Sequence, residues 1–466
     1  MPDLCFMPAH QLQNKLLAKD ISACELLECF ITQIQKHNPT VNALVTLNLE
    51  SARTQAITAD HQLAQHGKIV GPLHGLPIAV KDVFATRGLR TTLGNEHFAN
   101  HIPTQDDLVV AREKVAGAII LGKSNTPDCA SGGITSNTIF GLTRNPWNLE
   151  KTTSGSGGGG VASLMSGMVC MADGSDIGGS LRSPAAWSNC VGFRPSSGRI
   201  PGLPGSLADG NTSTAGAFTR CVKDTALFMQ ACDAPDINSA TPYPLGEAIT
   251  VSKLDKKPKG ITVCWSVDFA NRDMAPEIGT LFEAHSPIFE GCGLSLSNTP
   301  LNLGHDYRKL YTDFNAYGYV KGLPDKVLND CLTGKPVKLS IKDNVEHYMR
   351  MSAQQIFEMF KAREILRVNT QRYMQEHAVI ITPAHSCLAY GATDNVGESL
   401  CDWSAFYLAP LLGLPSIVVP CGFTKDGMPS GVMITGRKGD DLLVLQIAAA
   451  FERETGYGQQ LPKLVS

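Results

Sequence analysis

Apolar residues recur at helical spacing near the start of the chain. Behind "SACE" (22–25), Leu26, Leu27, Phe30, Ile31 and Ile34 fall on one helical face. Ser22 and Glu25, three residues apart, form a capping-box pair ahead of that stripe. A second helical run, "LESARTQAITADHQLAQHG", ends at Gly67. The period then changes. "GLPIAVKDVFA" (75–85) is a short, β-prone apolar run bounded by Gly and Pro, which predicts a buried strand. "TQDDLVVAREKVAG" (104–117) predicts a helix with Thr104 and Asp107 at its start, and "AIILGKSN" (118–125) a second buried strand. Strand, helix, strand at this spacing predicts an α/β fold: a large mixed, mostly parallel twisted sheet with helices on both faces.

Residues 226–376 are richer in Lys, Asp and aromatics, with helical runs such as 353–377. They read as a helical cover on the sheet. Strand signals return at "AVIITP" (378–383), "PSIVVPCGF" (415–423) and "SGVMITG" (430–436), before a last helix at 440–456. Strands drawn from both ends into one sheet predict one domain over 1–466. Its parts are N-terminal helices (1–65), a core (66–225), the cover (226–376) and a C-terminal return to the sheet (377–466).

The chain is 43% hydrophobic and 18% charged with a net charge of −3, ordinary globular values that point to neither nucleic acid nor an anionic membrane. The N-terminus has no basic region followed by an apolar core, so no secretory signal is read. The uncharged stretch 406–423 contains three prolines and reads as buried strand and turn, not a membrane span. The 14 cysteines are scattered singly, which predicts reduced thiols in the cytoplasm. Neither CxxC nor HExxH occurs, so no metal is expected.

"TTSGSGGGGVA" (152–162) concentrates four consecutive glycines, Gly157 to Gly160. A linker is excluded by strands on both sides of it. Gly155, Gly157 and Gly160 satisfy GxGxxG, but the preceding "NPWNLEKTTS" is polar and does not read as the strand that a dinucleotide loop must leave. A tight catalytic loop remains. Downstream, "ADGSDIGGSLRSPAAW" (172–187) is a second Gly/Ser-rich turn carrying Ser180.

Together these segments are similar to the amidase signature family of serine hydrolases. "GLPIAVKD" resembles that family's lysine strand, "SGSGGGGVA" its serine–glycine loop and "DIGGSLRSPAAW" its nucleophile turn; "FGLTRNPWN" (140–148) and "GFRPSSGRIP" (192–201) also match. The resemblance implies Ser180 as nucleophile, Lys81 as base, and a loop serine joined by a cis peptide as the bridge between them. Ser156 is the bridging candidate and Ser154 the alternative, because the family's Ser-Ser pair is Ser156-Gly157 here. The resemblance also places the backbone of Ala130 beside the acyl site. It implies hydrolysis of a small-molecule amide by a monomer or homodimer without a cofactor. The amidase component of a glutamine-dependent amidotransferase, or an ester- or carbamate-cleaving enzyme, shares the same signature.

The residue types suit that chemistry. A serine hydroxyl needs a base to become nucleophilic. A lysine acts as base only when neutral, which burial promotes. Asp82, next in sequence, is expected on the opposite strand face, away from Lys81. Backbone N–H groups of Ile177, Gly178, Gly179 and Ser180 are expected to converge as an oxyanion hole. Asp176 and Arg182 are expected to brace the turn, and Ser183 to cap the helix that follows. Taken alone, Lys81 reads as a paired structural lysine and Ser156 as a turn residue. His74 and His385 read as core histidines, and Cys129, Cys387 and Cys421 as small apolar groups. The aromatics Tyr307, Tyr311, Phe314, Tyr317 and Tyr319 read as helix packing beside a pocket wall.

Overall fold

The computed structural model describes residues 2–202, 212–237, 239, 241–244, 246–267, 269, 273–300, 306–394 and 401–465. Ser22 caps its helix as the spacing predicts. Its Oγ accepts the Glu25 N–H at 3.0 Å, and the Glu25 carboxylate accepts the Ser22 N–H at 2.9 Å. Helix α1 (Ala23–Val41) buries Leu26, Leu27, Phe30, Ile31 and Ile34, the predicted stripe. Helix α2 (Leu49–His66) ends where Gly67 takes φ +65°.

Eleven strands form one sheet: β1 (Leu44–Leu47), β2 (Pro77–Lys81), β3 (Ile119–Ser124), β4 (Met171–Asp176), β5 (Val191–Arg194), β6 (Thr214–Thr219), β7 (Ile261–Trp265), β8 (Leu294–Ser297), β9 (Val379–Pro383), β10 (Ser416–Phe423) and β11 (Pro429–Gly436). Their spatial order is β1-β3-β2-β4-β6-β5-β10-β11-β9-β7-β8. Every residue of β2 and β3 is buried, as their continuous apolar runs require.

The sheet is mixed, but a parallel majority is not found. Only the pairings β2/β3, β2/β4, β7/β9 and β7/β8 are parallel, four of the ten adjacencies among the described residues. Apolar periodicity reports burial, not strand direction. The antiparallel block comes from strands that return without a crossover helix, such as β10 and β11 on either side of Gly427. The cover also differs from expectation: β7 and β8, both from 226–376, extend one edge of the sheet. The helix expected over 104–117 is shortened to α3 (Leu108–Val115). The carboxylates of Asp106 and Asp107 accept the N–H groups of Arg87 and Ala85, which ties the first residues to another segment.

Two cysteines depart from the all-reduced expectation. Cys387 and Cys401 are joined by a disulfide; the other twelve are free. The loop between them brings together residues 14 apart, with no spacing signal in the chain to announce it. Among the described residues no helix is long and apolar enough to cross a membrane.

The topology positions the site. β2 and β4 run parallel with Ile78 opposite Met171 and Ala79 opposite Ala172. Their carboxyl ends therefore open at the same sheet edge, where sites in α/β sheets gather. Lys81 ends β2, and the turn carrying Ser180 leaves β4.

Candidate active site

Lys81 is fully buried at the end of its strand. Its Nζ lies 2.7 Å from Ser156 Oγ and 3.1 Å from Ser175 Oγ. Burial lowers the amine from 10.5 to about 7, against the opposing pull of Asp173 and Asp176. Asp82 is turned elsewhere: Oδ1 accepts the Thr92 N–H at 3.1 Å. Asp173 instead approaches Lys81 through the main chain, Oδ1 accepting its N–H at 2.5 Å.

The peptide between Gly155 and Ser156 is cis. The glycines around it allow close backbone approach. A Cβ on Gly155 would fall 2.5 Å from the Gly132 carbonyl oxygen, and one on Gly157 2.6 Å from the Ser180 carbonyl oxygen. The loop thus packs directly on the turn that holds Ser180. From Gly157 the chain enters α4 (Gly158–Met165), every residue of which is buried. "NLEKT", read as non-strand from its polarity, forms a short strand (Asn148–Thr152) in a two-stranded ribbon.

Ser154 does not face Lys81. Its Oγ lies 2.5 Å from Ser183 Oγ, which is 3.0 Å from His385 Nε2. Ser183 therefore does not cap α5 (Arg182–Ala186); it sits inside the first turn and links the loop to His385. The His385 ring stacks on Trp187 with centroids 3.8 Å apart. Cys387, read as a small apolar filler, is tied to Cys401 in the same neighbourhood.

Ser180 is half-buried and lines a cavity of about 690 Å³. The turn is braced from beneath. Asp176 accepts from Arg182 Nε at 3.0 Å and Arg182 Nη2 at 2.9 Å, and Arg194 Nη1 lies 3.3 Å from Oδ1. Burial alone would raise this carboxyl; Arg182 and Arg194 overcome that and hold it well below the usual carboxylate range. The bracing diverts one expected oxyanion donor. The Gly179 N–H donates to Asp176 Oδ1 at 3.1 Å, with Gly179 at φ +114°. Among the described residues the amides of Ile177, Gly178 and Ser180 make no hydrogen bond.

Ala130, at φ +57°, lines the cavity beside Ser131, Gly132 and Gly133. Helix α6 (Tyr307–Gly322) supplies Tyr311 and Tyr319 to the wall. Tyr311 stacks on Tyr407 with centroids 3.7 Å apart. Tyr307 and Phe314 pack in the core, and Tyr317 packs on Phe360 and Tyr348. The expected cluster thus divides between packing and pocket.

A family model described as amidase matches residues 25–445. The chain belongs to the amidase family. The amidase-family component of the glutamyl-tRNA(Gln) amidotransferase of Heliobacterium modesticaldum is 30% identical over 98% of each chain. An acylamidase of Rhodococcus erythropolis is 29% identical, covering 99% of this chain and 98% of that one. A bacterial aryl acylamidase structure of the amidase signature enzymes superposes with a TM-score of 0.89 at 26% identity over 97% of each chain. This amidase is therefore an enzyme of carbon–nitrogen bond hydrolysis.

Several residues of the amidase pocket escaped the sequence reading. Asp173 and Ser175, two apart on β4, share a strand face and both reach Lys81. Strand parity pairs them, but only the register of β4 on β2 aims them at the lysine. Arg194, Trp403 and Tyr407 approach from segments with no motif of their own.

Proposed function

We propose that the protein hydrolyses a small-molecule amide through an acyl-enzyme on Ser180, with Lys81 as base and Ser156 as proton relay. The observation that supports this most directly is the 2.7 Å contact between Lys81 Nζ and Ser156 Oγ, made by a buried amine whose charged form is disfavoured. Ser180 Oγ attacks the carbonyl carbon; its proton passes to Ser156 Oγ, and the Ser156 proton to Lys81 Nζ. The alkoxide that forms on the substrate oxygen is met by the amides of Ile177, Gly178 and Ser180. The relay then runs backward, the leaving nitrogen takes the proton, and the C–N bond breaks. Water repeats the attack on the ester, and Ser180 leaves with its proton restored. Ala130 offers backbone beside the acyl group. The scheme uses no cofactor and no nucleic acid, and twelve free thiols support a cytoplasmic setting.

Covalent labelling with a serine-directed fluorophosphonate tests the scheme. Wild type should label at Ser180 while Ser180→Ala does not, and Lys81→Ala and Ser156→Ala should label at least ~100-fold more slowly. Rapid labelling of Lys81→Ala would remove it as base.

A second reading is favoured by the 30% identity to the amidotransferase component: release of ammonia from glutamine within a larger complex. Amide hydrolysis by the chain alone, running as a monomer or homodimer on gel filtration, decides for the first reading. Turnover only of glutamine, and only with partner proteins, decides for the second. A panel of anilides, fatty amides, short aliphatic amides, esters and carbamates ranks the acyl donors.

A further inference from the structure

Two carboxyl groups that acyl transfer leaves unused are buried beside Lys81. Asp173 is 1% exposed on β4 and accepts the Lys81 N–H. Glu113 is 0% exposed on α3, and its carboxyl is in hydrogen-bond contact with that of Asp173. Among the described residues no N–H or hydroxyl donor reaches Asp173 Oδ2 or either Glu113 oxygen. Two carboxylates in contact cannot bond without a proton between them, and two adjacent negative charges are disfavoured away from water.

We propose that Asp173 and Glu113 share one proton, and that the single negative charge left on the pair positions Lys81 and sets the pH at which its amine becomes available. The proposal rests on the reading of Lys81 as base. The groups facing the pair come from every neighbouring element. Lys81 and, just past it, Asp82 come from β2. Lys123 comes from β3, Lys114 from α3, Asp107 from just ahead of α3, and Cys232 from the helix Val222–Cys232. Asp176 also acts on Lys81, itself matched by Arg182 and Arg194. Lys123 does not bond the pair; its Nζ donates to the Phe84 carbonyl and to Thr86 Oγ1. Asp173 is thus the carboxylate that meets the lysine directly. Burial raises Asp173 to about 7, although the Lys81 N–H and Lys123 oppose it, and burial with the Asp173 charge holds Glu113 far above its ordinary range. With no negative charge here, burial alone would push the Lys81 amine further down. With two, the ammonium would be held and the base lost.

The test compares Asp173→Asn and Glu113→Gln in the full chain, reading the acid limb of kcat/KM against pH. Asn keeps the acceptor for the Lys81 N–H and removes the charge, so the limb should move to lower pH by about one unit. Gln keeps a donor to Asp173 and the same single charge, so its limb should stay in place. An unmoved limb in Asp173→Asn, or an equal move in both variants, overturns the proposal. Infrared spectroscopy tests it without relying on either pH profile. Wild type at pH 8 should show the carbonyl stretch of a buried protonated carboxylic acid, lost in Glu113→Gln; its absence from wild type also overturns the proposal. If Lys81→Ala remains active, the base assignment itself has failed. If Lys81→Ala is inactive and the limb still does not move, only the carboxyl pair has.

Discussion

Replacing Lys81 by methionine keeps an unbranched stem in a fully buried slot while deleting the amine. Burial lowers that amine from 10.5 to about 7 in the folded protein. In the unfolded chain it keeps its ordinary value, so between those two limits the unfolded state binds more protons and stability rises with pH. Below about pH 7 the whole penalty stands. A gap of about 3.5 units at about 1.36 kcal/mol per unit gives a penalty near 5 kcal/mol in acid, about 4 at pH 7 and about 2 at pH 9. Methionine removes this cost but forfeits the contacts to Ser156 and Ser175, about 1 kcal/mol each. The variant should be more stable than wild type by about 2 kcal/mol at pH 7 and nearly equal to it at pH 9. Urea unfolding at the two pH values, followed by tryptophan fluorescence, measures both differences. Amide turnover should fall at least ~100-fold in the same variant. A methionine variant less stable than wild type at pH 7, or equally stabilised at both pH values, refutes the reasoning that this lysine is held neutral at a cost.

Ser154→Ala should cost about 1 kcal/mol through the lost Ser154–Ser183 contact while kcat stays within about tenfold of wild type; a loss matching that of Ser156→Ala would exchange the roles of the two serines. Asp176→Asn should destabilise by about 3–5 kcal/mol in thermal or urea unfolding, because two buried guanidinium groups lose their counter-charge, and an unchanged midpoint would contradict that. Gly157→Ala sets a Cβ 2.6 Å from the Ser180 carbonyl oxygen, so fluorophosphonate labelling of Ser180 should slow more than about tenfold; wild-type labelling would show that the two turns are not in close register.

Segments with a strong local signal were legible from the chain. Ser22 and Glu25 announced the start of α1, and unbroken apolar runs announced β2 and β3, because capping and burial depend on residues close together in sequence. Motif order picked out Lys81, Ser156 and Ser180, and placed Ala130 at the cavity. Local pattern failed where distant segments compete for the same groups. Gly179 was expected to serve an oxyanion, but Asp176 takes its N–H. Ser183 was expected to cap a helix, but Ser154 and His385 engage its hydroxyl. Strand direction, the two extra edge strands and the Cys387–Cys401 bond were likewise absent from any window of the sequence. The chain alone determined which side chains are the candidates for the chemistry and which runs are buried. Only the folded packing decided which serine meets the lysine and which carboxylates surround it. Those contacts join residues 75 to 94 positions apart, and their geometry follows from sheet register and backbone approach, which no local pattern encodes.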